Sequence, residues 1–213
     1  MDHARYVVQQ GDSIFKIAKN FHVEITDIIQ LNQIKHPDRI YPGQLLLLPI
    51  LETNGSIMSE IPEPNFTYAV WLYDAYAGKD SELSAITTYL YQAIVLDRPE
   101  FDALLRPIAF DEMSHLDLLG KALRDLGVDP RYGSFLKGHW IDWRAHYVDY
   151  TIDLCSLLEL NIKDEAKAHL HYLELAQKIP IPEIQLILTR MAADEERHCQ
   201  CFIEAKRQFC SND

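Results

Sequence analysis

The chain has 213 residues, 48% of them apolar and 24% charged, an ordinary globular composition with room for one or two domains. Its net charge of -12 argues against nucleic acid as a partner, because phosphate binding needs a basic face. No run of residues is long and apolar enough to span a membrane, so a bilayer is not expected as a partner either.

The charge is unevenly spread. Residues 1–50 hold five basic and five acidic side chains and sum to zero, so the remaining 163 residues carry the whole deficit and suit cations better than anions. The opening Met1-Asp2-His3-Ala4-Arg5 lacks the basic-then-apolar layout of a secretory signal, which gives a cytoplasmic expectation, or spore-coat or cell-wall association by a non-classical route. Cys155 is isolated and Cys199, Cys201 and Cys210 lie near the end without a knuckle pattern, so reduced thiols are expected.

The first unit reads strand, helix, helix, strand. Tyr6-Val7-Val8-Gln9 is a short β-prone run, and Gly11-Asp12-Ser13 then turns the chain. Asp12 or Ser13 can cap a helix from Ile14 to Phe21, and a second helix covers about Thr26 to Leu31. Pro42-Gly43 leads into a closing strand, Gln44 to Leu48, which Pro49 ends. The run Tyr6-x-Val8-x-x-Gly11-Asp12-Ser13-Ile14, the pair Leu31-Asn32, and Ile40-Tyr41-Pro42-Gly43-Gln44-x-Leu46-x-Leu48-Pro49 resemble a LysM module over its full length. Glu24 stands where such modules have Ser or Thr. The resemblance implies binding of peptidoglycan, chitin or another polymer of N-acetylglucosamine through two loops. Their residues here are Gly11, Asp12, Ser13, Ile14 and Phe15, then Asn32, Ile34, Pro37, Asp38, Arg39 and Ile40. A LysM fold that serves protein contacts is the alternative.

Residues 51–66 mix polar residues, Gly and Pro without period and read as a linker, giving domains over 1–50 and 67–213. Four long helices are expected beyond it. Helix A runs about Asp80 to Leu96, with an earlier start near Tyr68 as an option; helix B runs about Pro99 to Leu126. Helix C runs about Ala145 to Gln177 and helix D about Pro182 to Phe209, with a long crossover from Gly127 to Trp143 between B and C. Asp97 with Glu100 can form a capping box at the A–B turn.

This half repeats itself. Glu82 and Glu112 are 30 positions apart, and so are Glu165 and Glu195. His115 and His198 each follow the second Glu by three, Tyr89 and Tyr172 each follow the first by seven, and Asp111 and Asp194 each precede the second. A turn lies midway in each pair, so both carboxylates sit about 22 Å from the hairpin tip, at one height on antiparallel neighbours. Glu-x-x-His puts a carboxylate and an imidazole on one helical face. Two facing hairpins then gather Glu82, Glu112, His115, Glu165, Glu195 and His198 around one interior point. Four buried carboxylates need cations to stay ionised together, and two divalent ions, iron or manganese, supply that charge.

These residues resemble the rubrerythrin and manganese-catalase branch of the ferritin-like superfamily over residues 68–209. The expected fold class is therefore mostly α: a small βααβ LysM module plus a ferritin-like antiparallel four-helix bundle. The resemblance implies that Glu82 and Glu165 each bind mainly one metal. Glu112 and Glu195 bridge or bind beside His115 and His198. Tyr89 and Tyr172 hydrogen-bond to ligand carboxylates, and Asp111 and Asp194 orient the histidines across the pair. Asp194 to His198 carries the Asp-Glu-x-Arg-His signature, whereas the first copy has Ser114 in place of Arg. His169, four after Glu165, reads as a boundary histidine; Cys199 and Cys201 read as packed thiols, and Trp71, Trp140 and Trp143 as packing or interface anchors.

A metal pair sharing carboxylates acts on peroxide or O2, and three chemistries fit: peroxide reduction, peroxide disproportionation and Fe(II) oxidation for storage. The sequence encodes no rubredoxin-type domain to feed in electrons, which favours a catalase-like or oxidase-like role. A scaffold protein of a spore or cell wall is the non-enzymatic alternative, and a homodimer through the bundle is left open.

Overall fold

The computed structural model describes residues 3–8, 11–20, 25–49, 57 and 65–210. The chain divides into two compact units, Met1–Asn54 and Gly55–Asp213. The expected positions Gln9, Phe21 and Glu24, and the linker apart from Ile57, Asn65 and Phe66, lie outside the described residues.

In the first unit β1 (His3–Val7) pairs antiparallel with β2 (Leu45–Pro49), and α1 (Ile14–Asn20) and α2 (Ile25–Leu31) lie between them in sequence. Ser13 caps α1, its hydroxyl accepting from the Lys16 amide at 3.2 Å. Val8, Ile14, Ile17, Ala18, Ile28, Leu46 and Leu48 form the core. Asn32 ties it together: its amide donates to the Ile28 and Leu47 carbonyls at 2.9 and 2.6 Å, and its oxygen accepts from the Leu47 amide at 2.7 Å.

The second unit begins with α3 (Phe66–Ala77), whose N-cap is Asn65. Thus Asn65 and Phe66, expected in the linker, belong to a helix, and α3 is a separate element rather than an early start of helix A. The break falls at Gly78, where a β-carbon would sit 2.5 Å from the Asp74 carbonyl oxygen, too close for any residue but glycine. Ser81 caps the next helix, α4 (Glu82–Leu96). Asp97 closes α4 in the left-handed conformation (φ 44), so it does not form the expected capping box; Arg98 is the N-cap of α5 (Pro99–Asp125) and pairs with Glu100. Pro99 at the first helical position requires an extended residue before it, which puts Arg98 in the cap.

The crossover contains a hairpin the periodicity does not announce, β3 (Gly133–Leu136) with β4 (His139–Asp142), followed by a single 3-10 turn at Ala145–Tyr147. Phe135 and Trp140 from this hairpin pack edge-on against Tyr73 of α3. Helix α6 (Leu154–Lys178) starts nine residues later than expected, because Asp153 caps it through the Ser156 amide at 2.9 Å. Helix α7 (Pro182–Cys210) completes the bundle. A disulfide joins Cys155 to Cys210, correcting the expectation of reduced thiols there; it ties the start of α6 to the end of α7. Among the described residues no helix is long and apolar enough to cross a membrane.

Two apolar layers fill the bundle. One uses Phe101, Leu105, Leu157, Leu158 and Phe202; the other uses Leu119, Leu123, Leu175, Leu188 and Met191 with much of α3. Along α5, α6 and α7 the buried polar residues Glu112, His115, Asn161, Glu165, Glu195 and His198 lie in the stretch between these layers.

Candidate metal centre

Burying an ionised carboxylate without a partner costs several kcal/mol, on the order of a whole domain's stability when repeated four times. Yet Glu82, Glu112, Glu165 and Glu195 are each no more than 3% exposed, and His115 and His198 no more than 4%. They come from all four long helices: Glu82 opens α4, Glu112 and His115 share a face of α5, Glu165 sits mid-α6, and Glu195 and His198 share a face of α7.

The structure brings the six together. Glu82, Glu112, His115 and Glu195 each offer one donor atom within 4.8 Å of the others, and Glu112, Glu165, Glu195 and His198 do the same. Glu112 and Glu195 belong to both groups. His115 Nδ1 lies 2.8 Å from Glu112 Oε2 and 3.2 Å from Glu195 Oε1. His198 Nδ1 lies 2.9 Å from Glu112 Oε1, 3.5 Å from Glu165 Oε2 and 3.6 Å from Glu195 Oε2. The two imidazole rings are 6.2 Å apart.

A surrounding set of contacts crosses between the two hairpins. The Tyr89 hydroxyl on α4 donates to Glu165 on α6, and the Tyr172 hydroxyl on α6 donates to Glu82 on α4. Asp111 on α5 lies 3.2 Å from His198 Nε2 on α7, and Asp194 on α7 lies 3.5 Å from His115 Nε2 on α5. With Nε2 occupied in this way, each ring presents Nδ1 inward.

Without a cation, charge balance falls to protons. Burial, then the charge of Glu112, pushes Glu82 up to about 7. Burial and Glu112 likewise push Glu195 well above the carboxylate range. Glu112 goes the other way: burial opposes its ionisation, but contacts with His115 and His198 hold it far below that range. Burial favours neutral imidazoles, yet Glu82, Asp194, Glu112 and Glu195 push His115 well above its usual value, and Asp111 with three glutamates does the same to His198. Burial and the facing carboxylates push both tyrosines far up, so they remain hydroxyl donors.

Even so, among the described residues four buried side-chain atoms have no hydrogen-bond partner: Glu112 Oε1, Glu165 Oε2, Glu195 Oε1 and His198 Nδ1. All four belong to the inner donor set, and His198 Nδ1 sits near Glu112 Oε1 without the alignment of a hydrogen bond. Orphaned lone pairs converging from carboxylates and imidazole fit a pair of divalent cations with two shared carboxylates, and the Glu/His chemistry suits iron or manganese.

Other expected residues fall elsewhere. His169 Nδ1 lies 2.7 Å from the Ala192 carbonyl, a helix-to-helix contact, and the buried Cys199 thiol faces the Ile162 carbonyl at 3.5 Å. Trp143 donates to Ser84 at 3.0 Å, while Trp71 packs on Tyr68 beneath the Lys178 ammonium. In the N-terminal unit, Ile14 is core, and the half-buried Asn32 side chain makes three hydrogen bonds to backbone groups. Asp12 accepts from the Tyr6 hydroxyl at 2.6 Å, and Ile34 and Ile40 pack against the core. Gly11 (φ 90), Phe15, Pro37, Asp38 and Arg39 are exposed.

Two arrangements escape sequence reasoning. Arg197 reaches Asp194 at 2.7 Å and Asp111 at 3.1 Å, joining both histidine partners. The Arg in the signature run was the available clue. Gln92 and Asn161 form a buried reciprocal amide pair at 2.8 and 3.2 Å, for which their spacing in the sequence holds no signal.

Three family models match the chain: LysM domain over residues 6–49, manganese containing catalase over residues 57–133, and rubrerythrin over residues 156–213. The chain is similar to a probable manganese catalase of Clostridium acetobutylicum, 26% identical over 164 residues that cover 68% of this chain and 73% of that protein. Its first unit is similar to the cortical fragment-lytic enzyme of Bacillus subtilis, 40% identical over 45 residues, 21% of this chain and 10% of that one. The crystal structure of a manganese catalase from Anabaena superposes with a TM-score of 0.60 at 27% identity, covering 68% of this chain and 73% of the other. The chain thus joins an N-terminal LysM unit to a ferritin-like helical unit that resembles manganese catalases and rubrerythrins and carries two carboxylate–histidine clusters suited to a metal pair.

Proposed function

We propose that this protein is a di-manganese or di-iron enzyme that consumes hydrogen peroxide, tethered by its LysM domain to peptidoglycan or another N-acetylglucosamine polymer. The observation that carries the reading is the pair of four-residue donor groups sharing Glu112 and Glu195, with orphaned buried atoms pointing between them. A bound pair of redox-active ions would supply the two-electron capacity that peroxide disproportionation needs. The chain's own residues do the rest. Glu82 and Glu165 would each hold one ion, and His115 and His198 would each hold one through Nδ1. Tyr89 and Tyr172 keep the terminal carboxylates in place by donating to them. Asp111 and Asp194 keep each imidazole in a single orientation. Disproportionation requires no outside electron donor.

The test is metal content followed by peroxide. Purified protein should hold about two manganese or iron ions per chain and release O2 from peroxide without added reductant. Peroxide consumption no faster than that of free metal would end the enzymatic reading. Retention of many oxidised iron ions per chain would instead support Fe(II) oxidation for storage. The tether is supported by the LysM match and tested by a peptidoglycan pull-down.

A further inference from the structure

The donor set is sealed by apolar layers along the bundle but not on the flank between α4 and α6. There a cleft of about 180 Å³ leads inward, and Glu82, Glu112, Glu165 and Glu195 line its floor. Three of those floor residues carry the orphaned atoms Glu112 Oε1, Glu165 Oε2 and Glu195 Oε1. Tyr89 and Tyr172 line its walls.

Its outer part is charged on one side of the balance. Apart from the floor, the lining holds Asp74, Asp80, Asp149 and Asp164 against Lys79 and Lys167. Lys167 is already bound: its ammonium pairs with Asp80 across the mouth, joining α6 to the loop before α4. Hydrogen peroxide carries no net charge, so such a rim does not steer it from a distance. A divalent cation gains from it twice, by steering at a distance and by contact at the mouth, because a low-dielectric cleft focuses the field of its charges.

We propose that this acidic cleft is the route by which divalent metal ions reach the site, with Asp164 and Asp80 as capture residues and Lys167 as a built-in competitor that an incoming ion displaces from Asp80. The inference rests on the di-metal reading of the floor. It assigns the rim residues to loading rather than to the chemistry on peroxide. The Lys167 ammonium holds Asp80 while no metal is passing, and its displacement makes entry rather than final affinity the step that the rim controls.

The experiment is stopped-flow loading of the metal-free full-length chain with Mn(II) at low ionic strength, with final stoichiometry measured separately by elemental analysis. Asp164→Asn should slow loading about threefold to tenfold while the final content stays at two ions per chain. Lys167→Gln should speed it by a similar factor, since Asp80 is then left without its resident cation. Both differences should shrink at about 0.15 M salt, where surface charges are screened beyond about 8 Å. Circular dichroism before loading verifies that each variant is folded, and Asp80→Asn serves as the second capture variant should Asp164→Asn be misfolded. Normal stoichiometry with unchanged rates in these variants would overturn the route but leave the site standing. Failure of the unaltered chain to bind two ions at all would overturn the site and the route with it.

Discussion

Tyr172 on α6 donates its hydroxyl to Glu82 on α4, although 90 positions of sequence separate them, and Tyr89 on α4 returns the same contact to Glu165 on α6. Each repeat therefore steadies the carboxylate of the other. The aspartates follow the same rule, Asp111 serving His198 and Asp194 serving His115. A site built by exchange cannot be assembled by one hairpin alone, so metal binding should report on the docking of the two halves.

That exchange sets the effect of Tyr→Phe changes. Tyr172→Phe removes the donor to Glu82 while leaving all six inner donors. Metal content should stay near two per chain and peroxide turnover should fall about tenfold, the range for losing an outer hydrogen-bond partner. Loss of both ions in this variant would assign the tyrosine to the ligand set.

Glu112 and Glu195 are common to both donor groups, whereas Glu82 and Glu165 each belong to one. Glu112→Ala should therefore empty both positions and lower the Tm, because binding to the native state is linked to folding. Glu82→Ala should weaken one position more than the other. Equal, full retention in a Glu82→Ala/Glu165→Ala double variant, read by elemental analysis, would contradict the assignment.

The metal-free chain should lose stability as pH rises. Glu82, Glu195, His115 and His198 all hold protons more tightly when folded, so their contribution is complete at low pH and is lost as pH climbs through the folded values, near 7 for Glu82. Glu112 and Asp194 are shifted down and act oppositely, but their contribution is lost only in acid, below the ordinary carboxylate range. From about pH 5 to about pH 8 the metal-free Tm should fall, while the loaded protein should hold or gain because cations replace the protons. Calorimetry on both forms measures this, and a metal-free Tm that rises across the window would refute it.

The disulfide closes a loop of 55 residues between the start of α6 and the end of α7. Chain-entropy arguments put its stabilisation at about 4 kcal/mol. A Cys155→Ala/Cys210→Ala double variant should melt lower by many degrees yet keep its metal, since neither residue approaches the donor set. Denaturant melts with and without reductant check the size, and identical midpoints would show that the bond contributes nothing.

In the N-terminal unit, three hydrogen bonds from one side chain hold α2 to β2. Asn32→Ala takes the side-chain partner from the partly buried Leu47 amide and carbonyl, at about 1–3 kcal/mol each, a large loss for a unit of this size. The variant should abolish peptidoglycan retention by unfolding the unit, visible in the circular dichroism of the isolated fragment. Arg39→Ala should leave that fold intact, so the pair separates loss of fold from loss of contact.

The sequence by itself determined the six inner residues and their common height, because helical rise and a turn midway through each 30-residue interval convert spacing directly into geometry. It determined the βααβ order of the first unit as well, since Gly, Pro and capping residues act locally. Only the tertiary structure decided which tyrosine meets which glutamate, that Arg197 joins both aspartates, and that Cys155 reaches Cys210. The same holds for the crossover hairpin, whose Phe135 and Trp140 find their partner on α3, and for Asn32, whose loop position gives no sign of its buried clamp. These are contacts between segments far apart in the chain. Periodicity encodes the face a residue occupies, whereas the identity of its partner depends on how the helices cross and pack.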